Sequence, residues 1–247
     1  MVAQSVDTSP YGGKPLNLRD SAAIFPMSAG PMSQPCLQAE NLHLWRGDHH
    51  VLRGVGLTLS AGECLQVAGS NGAGKTSLLR TLTGLMYPEE GRVLWRGADI
   101  RRDLAGFHAD LAYIGHEPPL KSDLTPRENL RYWVGVRREL SGTLVDQALE
   151  RVGATNYRQR AVRTLSAGQK RRVALAGLLL MAAPLWLLDE PTTHLDAEGQ
   201  RLLGVLIDEQ TAGGGLVVAA THQALPVVRT LARRVELNAP DLSGAPP

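Results

Sequence analysis

The stretch Gly69-Ser-Asn-Gly-Ala-Gly-Lys-Thr76 fits the pattern G-x-x-x-x-G-K-[ST]. Its glycines let the backbone curl so that successive N–H groups converge, with an ammonium and a hydroxyl following directly. Convergent amides beside a fixed positive charge make a cradle for a triphosphate. In that chemistry the backbone of Gly69, Ser70, Asn71, Gly72, Ala73 and Gly74 holds phosphate oxygens. Lys75 reaches the β- and γ-phosphates, and the Thr76 hydroxyl takes one position on Mg²⁺. A helix opening here adds roughly half a positive charge at the same place. These residues are therefore expected to bind a nucleotide.

A second group of residues supplies what hydrolysis needs. Leu185-Trp-Leu-Leu-Asp-Glu-Pro191 reads as an apolar strand ending in two carboxylates. In open parallel sheets ligands sit at the carboxyl ends of strands, so Asp189 and Glu190 are expected to face the phosphate loop. Asp189 suits Mg²⁺, held directly or through water, because hard cations prefer oxygen ligands. Glu190 suits the orientation, or deprotonation, of a water attacking the γ-phosphate. Neighbouring strand residues point opposite ways, so both reach the site only if the chain turns at the strand end. Further upstream, Ser166 and Gln169 make an S-x-x-Q capping box, which explains them as a helix start. The same helix tip, with the Ser166 hydroxyl and the Gly168 N–H, is also an anion site.

Positioning these groups requires alternating strands and helices. Cys64–Ala68 reads as a short buried strand before the loop, and residues 76–83 as a helix with Leu78, Leu79 and Leu82 on one face and Gly84 as its stop. Residues 37–44, 55–59 and 92–95 alternate apolar and polar side chains, as antiparallel strands do. Residues 185–188 and 216–220 are continuous apolar runs, as in parallel strands buried on both faces. Thr125-Pro126 opens a helix in the cap-then-proline manner. From about Glu117 to Val162 the pattern is mainly helical, which predicts a helical subdomain inserted into an α/β core. The apolar run from Val173 to Leu188 falls short of the ~20 residues of a membrane span and contains Pro184. It divides into a helix ending near Met181 and the strand before Asp189. No transmembrane segment of its own is expected.

Composition narrows the class. The chain has 247 residues, 43% of them hydrophobic, and a formal net charge of +2. That charge is too small and too scattered to argue for nucleic acid. Two cysteines, Cys36 and Cys64, lack any metal-ligand spacing and suit a reducing compartment. Residues 1–35, rich in Ser, Pro, Gly and Met, read as a disordered extension, with Met27 and Met32 as alternative starts. Residues 239–247 read as a flexible tail. The nucleotide-binding domain is then expected to occupy residues 36–238.

In order along the chain, GSNGAGKT, LSAGQ, LWLLDEP, His194-Leu-Asp196 and Thr221-His222 resemble the motifs of ATP-binding cassette (ABC) ATPases, over about residues 37–237. The resemblance implies a P-loop NTPase fold: a mixed sheet with parallel core strands, an antiparallel β subdomain and an inserted helical subdomain. It implies ATP and Mg²⁺ as cofactors. It also implies a homodimer in which Ser166 and Gly168 of one copy contact the γ-phosphate held by the other. His222 resembles the switch histidine on the γ-phosphate, and Asp196 the aspartate at the subunit seam. Within the family, the segments 69–85, 113–130, 165–176 and 220–223 are similar to the ATPase subunits of cytochrome c maturation systems. That similarity implies an ATPase coupled to haem handling, a haem-exporter-type membrane permease as partner, and a peripheral position on the cytoplasmic face of the bacterial inner membrane. Two other readings stand beside it. One is an ABC ATPase serving another cargo. The other is a non-transport ABC ATPase acting on DNA or ribosomes, although DNA-repair members insert a long coiled coil where residues 77–164 stand here.

Two positions depart from the family pattern. The family usually has Gln where Glu117 is placed, so a carboxylate is expected near Mg²⁺ and the attacking water. An aromatic ring usually stacks on adenine upstream of the phosphate loop, and either Trp45 or Arg46 occupies that place here. His43, His49 and His50 lie nearby with no common metal-ligand spacing.

Overall fold

The computed structural model describes residues 36–237. The extension over residues 1–35, the alternative starts and the tail over residues 239–247 lie outside the described residues. The antiparallel strands β1 (Leu37–Arg46), β2 (His49–Leu59), β4 (Glu90–Trp95) and β5 (Ala98–Asp99) form one sheet in the order β2-β1-β4-β5. A second, all-parallel sheet has the order β6-β7-β8-β3-β9. Its strands are β3 (Cys64–Ala68), β6 (Leu111–Ile114), β7 (Leu185–Asp189), β8 (Leu216–Ala220) and β9 (Ala232–Glu236). The parallel and antiparallel pairs thus separate into two sheets rather than sharing one.

Side-chain alternation divides the interior in two. On β7, Leu185 and Leu187 join the core shared with helix α1 (Lys75–Leu82) and the antiparallel sheet. Trp186 and Leu188 join a second core with α3 (Pro126–Gly135), α4 (Gly142–Arg151), α5 (Ala167–Met181) and α6 (Ala197–Ala212). Strand β8 alternates likewise, with Leu216, Val218 and Ala220 toward α1 and Val217 and Ala219 toward the larger helical layer. Strands buried on both faces carry apolar runs for this reason. A short helix, α2 (Leu104–Ala109), bridges β5 and β6. Two strands escape the sequence pattern: β6 has only four residues, and β9 is an edge strand whose side chains are largely exposed.

The helices that carry site residues are capped by their own sequence. Thr125 and Glu128 form a complete capping box on α3, with Pro126 at its first position. Ser166 and Gln169 form another on α5: Ser166 Oγ accepts from Gln169 N at 3.2 Å, and Gln169 Oε1 accepts from Ser166 N at 3.0 Å. Asp196 caps α6, accepting from Gly199 N at 2.8 Å.

Candidate functional site: a triphosphate cradle at the ends of parallel strands

The loop between β3 and α1 closes tightly on its neighbours. Gly69 has φ +145°, and a Cβ there would stand 2.6 Å from the carbonyl oxygen of Leu237. Gly74, which opens α1, has φ +95°, and a Cβ there would stand 2.9 Å from a methyl of Val51. Only glycine meets both demands. A cavity of about 690 Å³ opens over this loop, lined by Asn71, Gly72, Gly74, Lys75, Thr76 and Ser77. Its walls are Arg46, His49, Val51, His116 and Glu190.

The floor of the cavity is polar and paired. Lys75 Nζ donates to the carbonyls of Gly69 at 2.8 Å and Ser70 at 3.1 Å, and stands 3.9 Å from Glu190 Oε1. Thr76 Oγ1 donates to Asp189 Oδ2 at 2.8 Å. The alternation that sends Leu185 and Leu187 toward α1 sends Asp189 the same way, so its carboxylate meets Thr76 without any distortion. Burial raises the Asp189 carboxyl above the ordinary carboxylate range; the Thr76 hydroxyl opposes that shift and the Glu190 charge adds to it. Two oxygens this close, one of them anionic, suit a hard divalent cation.

Glu190 should by the same alternation point away. Instead its backbone is left-handed, with φ +45°. A non-glycine residue in that region costs about 1–2 kcal/mol. The turn swings the carboxylate back over the loop, where Glu190 Oε2 lies 3.1 Å from Nδ1 of His222. His222 lies two residues past the end of β8, and Gln66 Nε2 fixes its loop by donating to the carbonyl of Gln223 at 2.8 Å. Lys75, Glu190 and His222 thus form a connected chain across one side of the cradle, with Thr76 and Asp189 on the floor beside it.

Other expected residues fall elsewhere. Ser166 and Gly168 stand at the tip of α5 and do not line this chain's own cavity; Ser166 is exposed. Asp196 is engaged within the chain, accepting from Arg172 Nη2 at 2.8 Å as well as capping α6. Glu117 does not line the cavity, whereas its neighbour His116 does. Consecutive loop residues diverge, and the strand end at Ile114 aims His116 inward. The structure thus brings the His116 imidazole to the cavity wall, with the expected Glu117 carboxylate exposed beside it.

Between Trp45 and Arg46 the structure chooses Arg46. Strand β1 carries an irregularity after Ala39, with Asn41 at φ +48°, that moves Leu42 and Leu44 onto the core face. Arg46 continues that face past the core into the cavity, paired with His49 across the strands. Trp45 faces the other way and stacks on His50, ring centroids 3.8 Å apart and 7° from parallel. His43 stacks on the same group, its Nδ1 lying 3.0 Å from His50 Nε2.

Sequence reasoning missed His49, His116 and Arg171. The first two carry no motif; their places follow only from strand pairing and from the end of β6. Arg171, on the second turn of α5, is 3% exposed. It donates to the carbonyls of Glu190 at 2.6 Å, Asp189 at 2.7 Å and Gly115 at 3.0 Å, with longer contacts to His116 and Pro191 at 3.4 Å. Burial pulls its guanidinium down from the ordinary value, against the fields of Asp189 and Glu190.

A nucleotide-sized cavity over this loop, at the carboxyl ends of parallel strands, defines a P-loop ATP-binding domain. The chain belongs to the ABC transporter family, whose sequence model matches residues 52–193; it is an ATPase of that family. Among its relatives is the cytochrome c biogenesis ATP-binding export protein CcmA of Methylococcus capsulatus, 48% identical over 79% of this chain and 95% of that protein. The protein of the same description from Yersinia pestis is 46% identical over 81% of this chain and 91% of that one. Among solved structures, CbiO1 from Clostridium perfringens, part of the ABC transporter complex CbiONQ, superposes with a TM-score of 0.65. It is 29% identical and covers 77% of this chain and 80% of that one. Among the described residues, no helix is long and apolar enough to cross a membrane.

Proposed function

We propose that this chain is the ATP-hydrolysing subunit of an ABC membrane complex for cytochrome c biogenesis, acting in haem export or handling. Two copies sandwich two ATP molecules head to tail, each cradle facing the other copy's Ser166 and Gly168. Residues 36–238 form the ATP-binding domain, with a helical subdomain over about 117–162, and the subunit sits at the cytoplasmic face of the bacterial inner membrane against a permease of haem-exporter type. The observation that carries the catalytic reading is Glu190, turned out of its strand to stand between Lys75 and His222. The similarity to CcmA along nearly the whole length of those relatives supports the cellular role. The exposed cap of α5, outside its own chain's cavity, supports the head-to-tail arrangement.

In this reading the amides of residues 69–74 and the Lys75 ammonium hold the β- and γ-phosphates. Thr76 and Asp189 are the residues that would hold Mg²⁺, which would neutralise charge on the phosphates. Glu190 orients the attacking water and takes its proton, while His222 fixes the Glu190 carboxylate and faces the γ-phosphate. His116 closes the remaining wall, and Arg46 covers the base. Binding of ATP closes the pair, and hydrolysis reopens it. Replacing Glu190 by Gln keeps the shape and removes the base, so turnover is expected to fall roughly 10²–10⁴-fold with ATP still bound. Parental turnover in that variant removes Glu190 from the role. Co-purification from membranes, followed by identification of the bound permease, tests the cellular part; a permease unrelated to haem handling would redirect it to another cargo.

A further inference from the structure

The end of β7 places two carboxylates on one side of the sheet only because Glu190 adopts a left-handed backbone. Something must hold that turn, and its carbonyls have lost the sheet ladder as partners. The amide of Glu190 is tied to the carbonyl of Ala220 at 2.8 Å, which fixes one side of the turn to β8. The carbonyl side is taken by Arg171, joined on the Glu190 carbonyl by the amide of Thr193 at 3.2 Å. One guanidinium nitrogen, Nη2, bridges the carbonyls of Asp189 and Glu190, while Nη1 reaches the carbonyl of Gly115 just beyond β6. A single planar fork therefore joins the ends of two neighbouring parallel strands. Lysine, with its donors on one atom, and glutamine, with one amide nitrogen, cannot span both.

Stability alone is a poor reason to place a cation here. None of the hydrogen bonds described for Arg171 goes to a carboxylate; its acceptors are backbone carbonyls. Buried charges often contribute no more than well-packed apolar side chains of the same volume. What the guanidinium does that an apolar side chain does not is fix carbonyl directions on both sides of Glu190. Its own position is set by α5, whose first turn begins at the Ser166 cap and packs so closely on the next loop that a Cβ on Gly168 would stand 2.7 Å from the His194 carbonyl.

We propose that Arg171 is a positioning residue for hydrolysis: it holds Glu190 in its left-handed turn toward Lys75 and His222, and ties that turn to helix α5. The inference deepens the reading of Glu190 as the residue that handles the attacking water, and it rests on that reading. It makes the tip of α5 and the carboxylate of the same chain move as one piece.

The test uses the full chain with Arg171→Lys and Arg171→Gln, each first checked for native circular dichroism and nucleotide binding. Misplacing a reacting group by about 1 Å costs on the order of 10²-fold, so kcat is expected to fall by roughly that factor with KM for ATP unchanged. In a Glu190→Gln background, followed by single-turnover assay, Arg171→Lys is expected to add almost nothing, because the group it positions is already disabled. Backbone amides over residues 190–193 are expected to exchange faster in Arg171→Lys than in the parent. Equal losses in both backgrounds would mark a merely structural role and overturn the proposal. So would a raised KM with kcat intact, or unaltered exchange over residues 190–193. If Glu190→Gln slows turnover but neither Arg171 variant does, the positioning role alone fails. If Glu190→Gln itself turns over at the parental rate, the catalytic reading of Glu190 fails and this inference with it.

Discussion

Replacing Lys75 by Met keeps the aliphatic stem and removes the ammonium. In the structure that ammonium spends two donors on the carbonyls of Gly69 and Ser70, at 2.8 and 3.1 Å, and stands 3.9 Å from Glu190 Oε1. One donor remains for a phosphate oxygen. A hydrogen bond to a charged group contributes about 1.5–3 kcal/mol, so nucleotide affinity should fall roughly 10- to 150-fold. If the phosphates also displace the two loop carbonyls, the loss is larger, which makes this a lower bound. The variant also removes a donor from the carbonyls of Gly69 and Ser70, of which Ser70 keeps the amide of Ala73, and leaves Glu190 without its cation, so the melting temperature of the nucleotide-free protein should drop. Affinity is therefore measured well below that temperature, by calorimetric titration with a non-hydrolysable ATP analogue and Mg²⁺, with turnover followed as phosphate release. A Lys75→Met protein with parental affinity and parental turnover would refute the cradle as the seat of binding.

Three further outcomes follow from particular contacts. Arg46→Ala should weaken ATP by the ~0.5–2 kcal/mol of a cation–π stack while leaving tripolyphosphate binding unchanged, and Trp45→Ala should alter neither; titration of both ligands decides it. Asp208 accepts from the amides of Val228, Arg229 and Thr230 at 3.1, 3.1 and 2.8 Å. Burial raises its carboxyl, but the Thr230 hydroxyl and these amides together outweigh burial and hold it below the ordinary carboxylate value. A depressed value contributes stability above the unfolded pKa and loses it as pH falls through the folded one. Asp208→Ala should therefore cost about 2 kcal/mol at neutral pH, a gap in melting temperature that closes below roughly pH 4. A Cβ on Gly177 would stand 2.1 Å from the Trp133 ring. Gly177→Ala should thus destabilise by about 1–2 kcal/mol despite the better helix former, and Trp133→Leu in the same chain should restore the loss, as read by thermal melts.

Much of the molecule is legible in its residues alone. The loop over 69–76, the buried strands Cys64–Ala68 and Leu216–Ala220 and the capping boxes at Thr125 and Ser166 depend on neighbours in sequence, where backbone freedom, alternation and local hydrogen bonding decide the outcome. The order of the motifs carries the ABC resemblance. Strand β9 is not legible in this way, because it is held by pairing to β3 rather than by an apolar pattern. Nor is the choice between Trp45 and Arg46, which turns on an irregularity in β1 that shifts every later side chain to the other face.

By itself, then, the sequence determined the loop over 69–76 and the two carboxylates at the end of β7, since each group is adjacent in the chain. Tertiary structure alone decided the walls other than Glu190. His116, not Glu117, enters the cavity because of where β6 ends, and Arg171 reaches Glu190 across nineteen positions because α5 packs beneath two strand ends. Directions of side chains at strand ends are set by what the neighbouring elements bond to, and no local pattern of residue types encodes that.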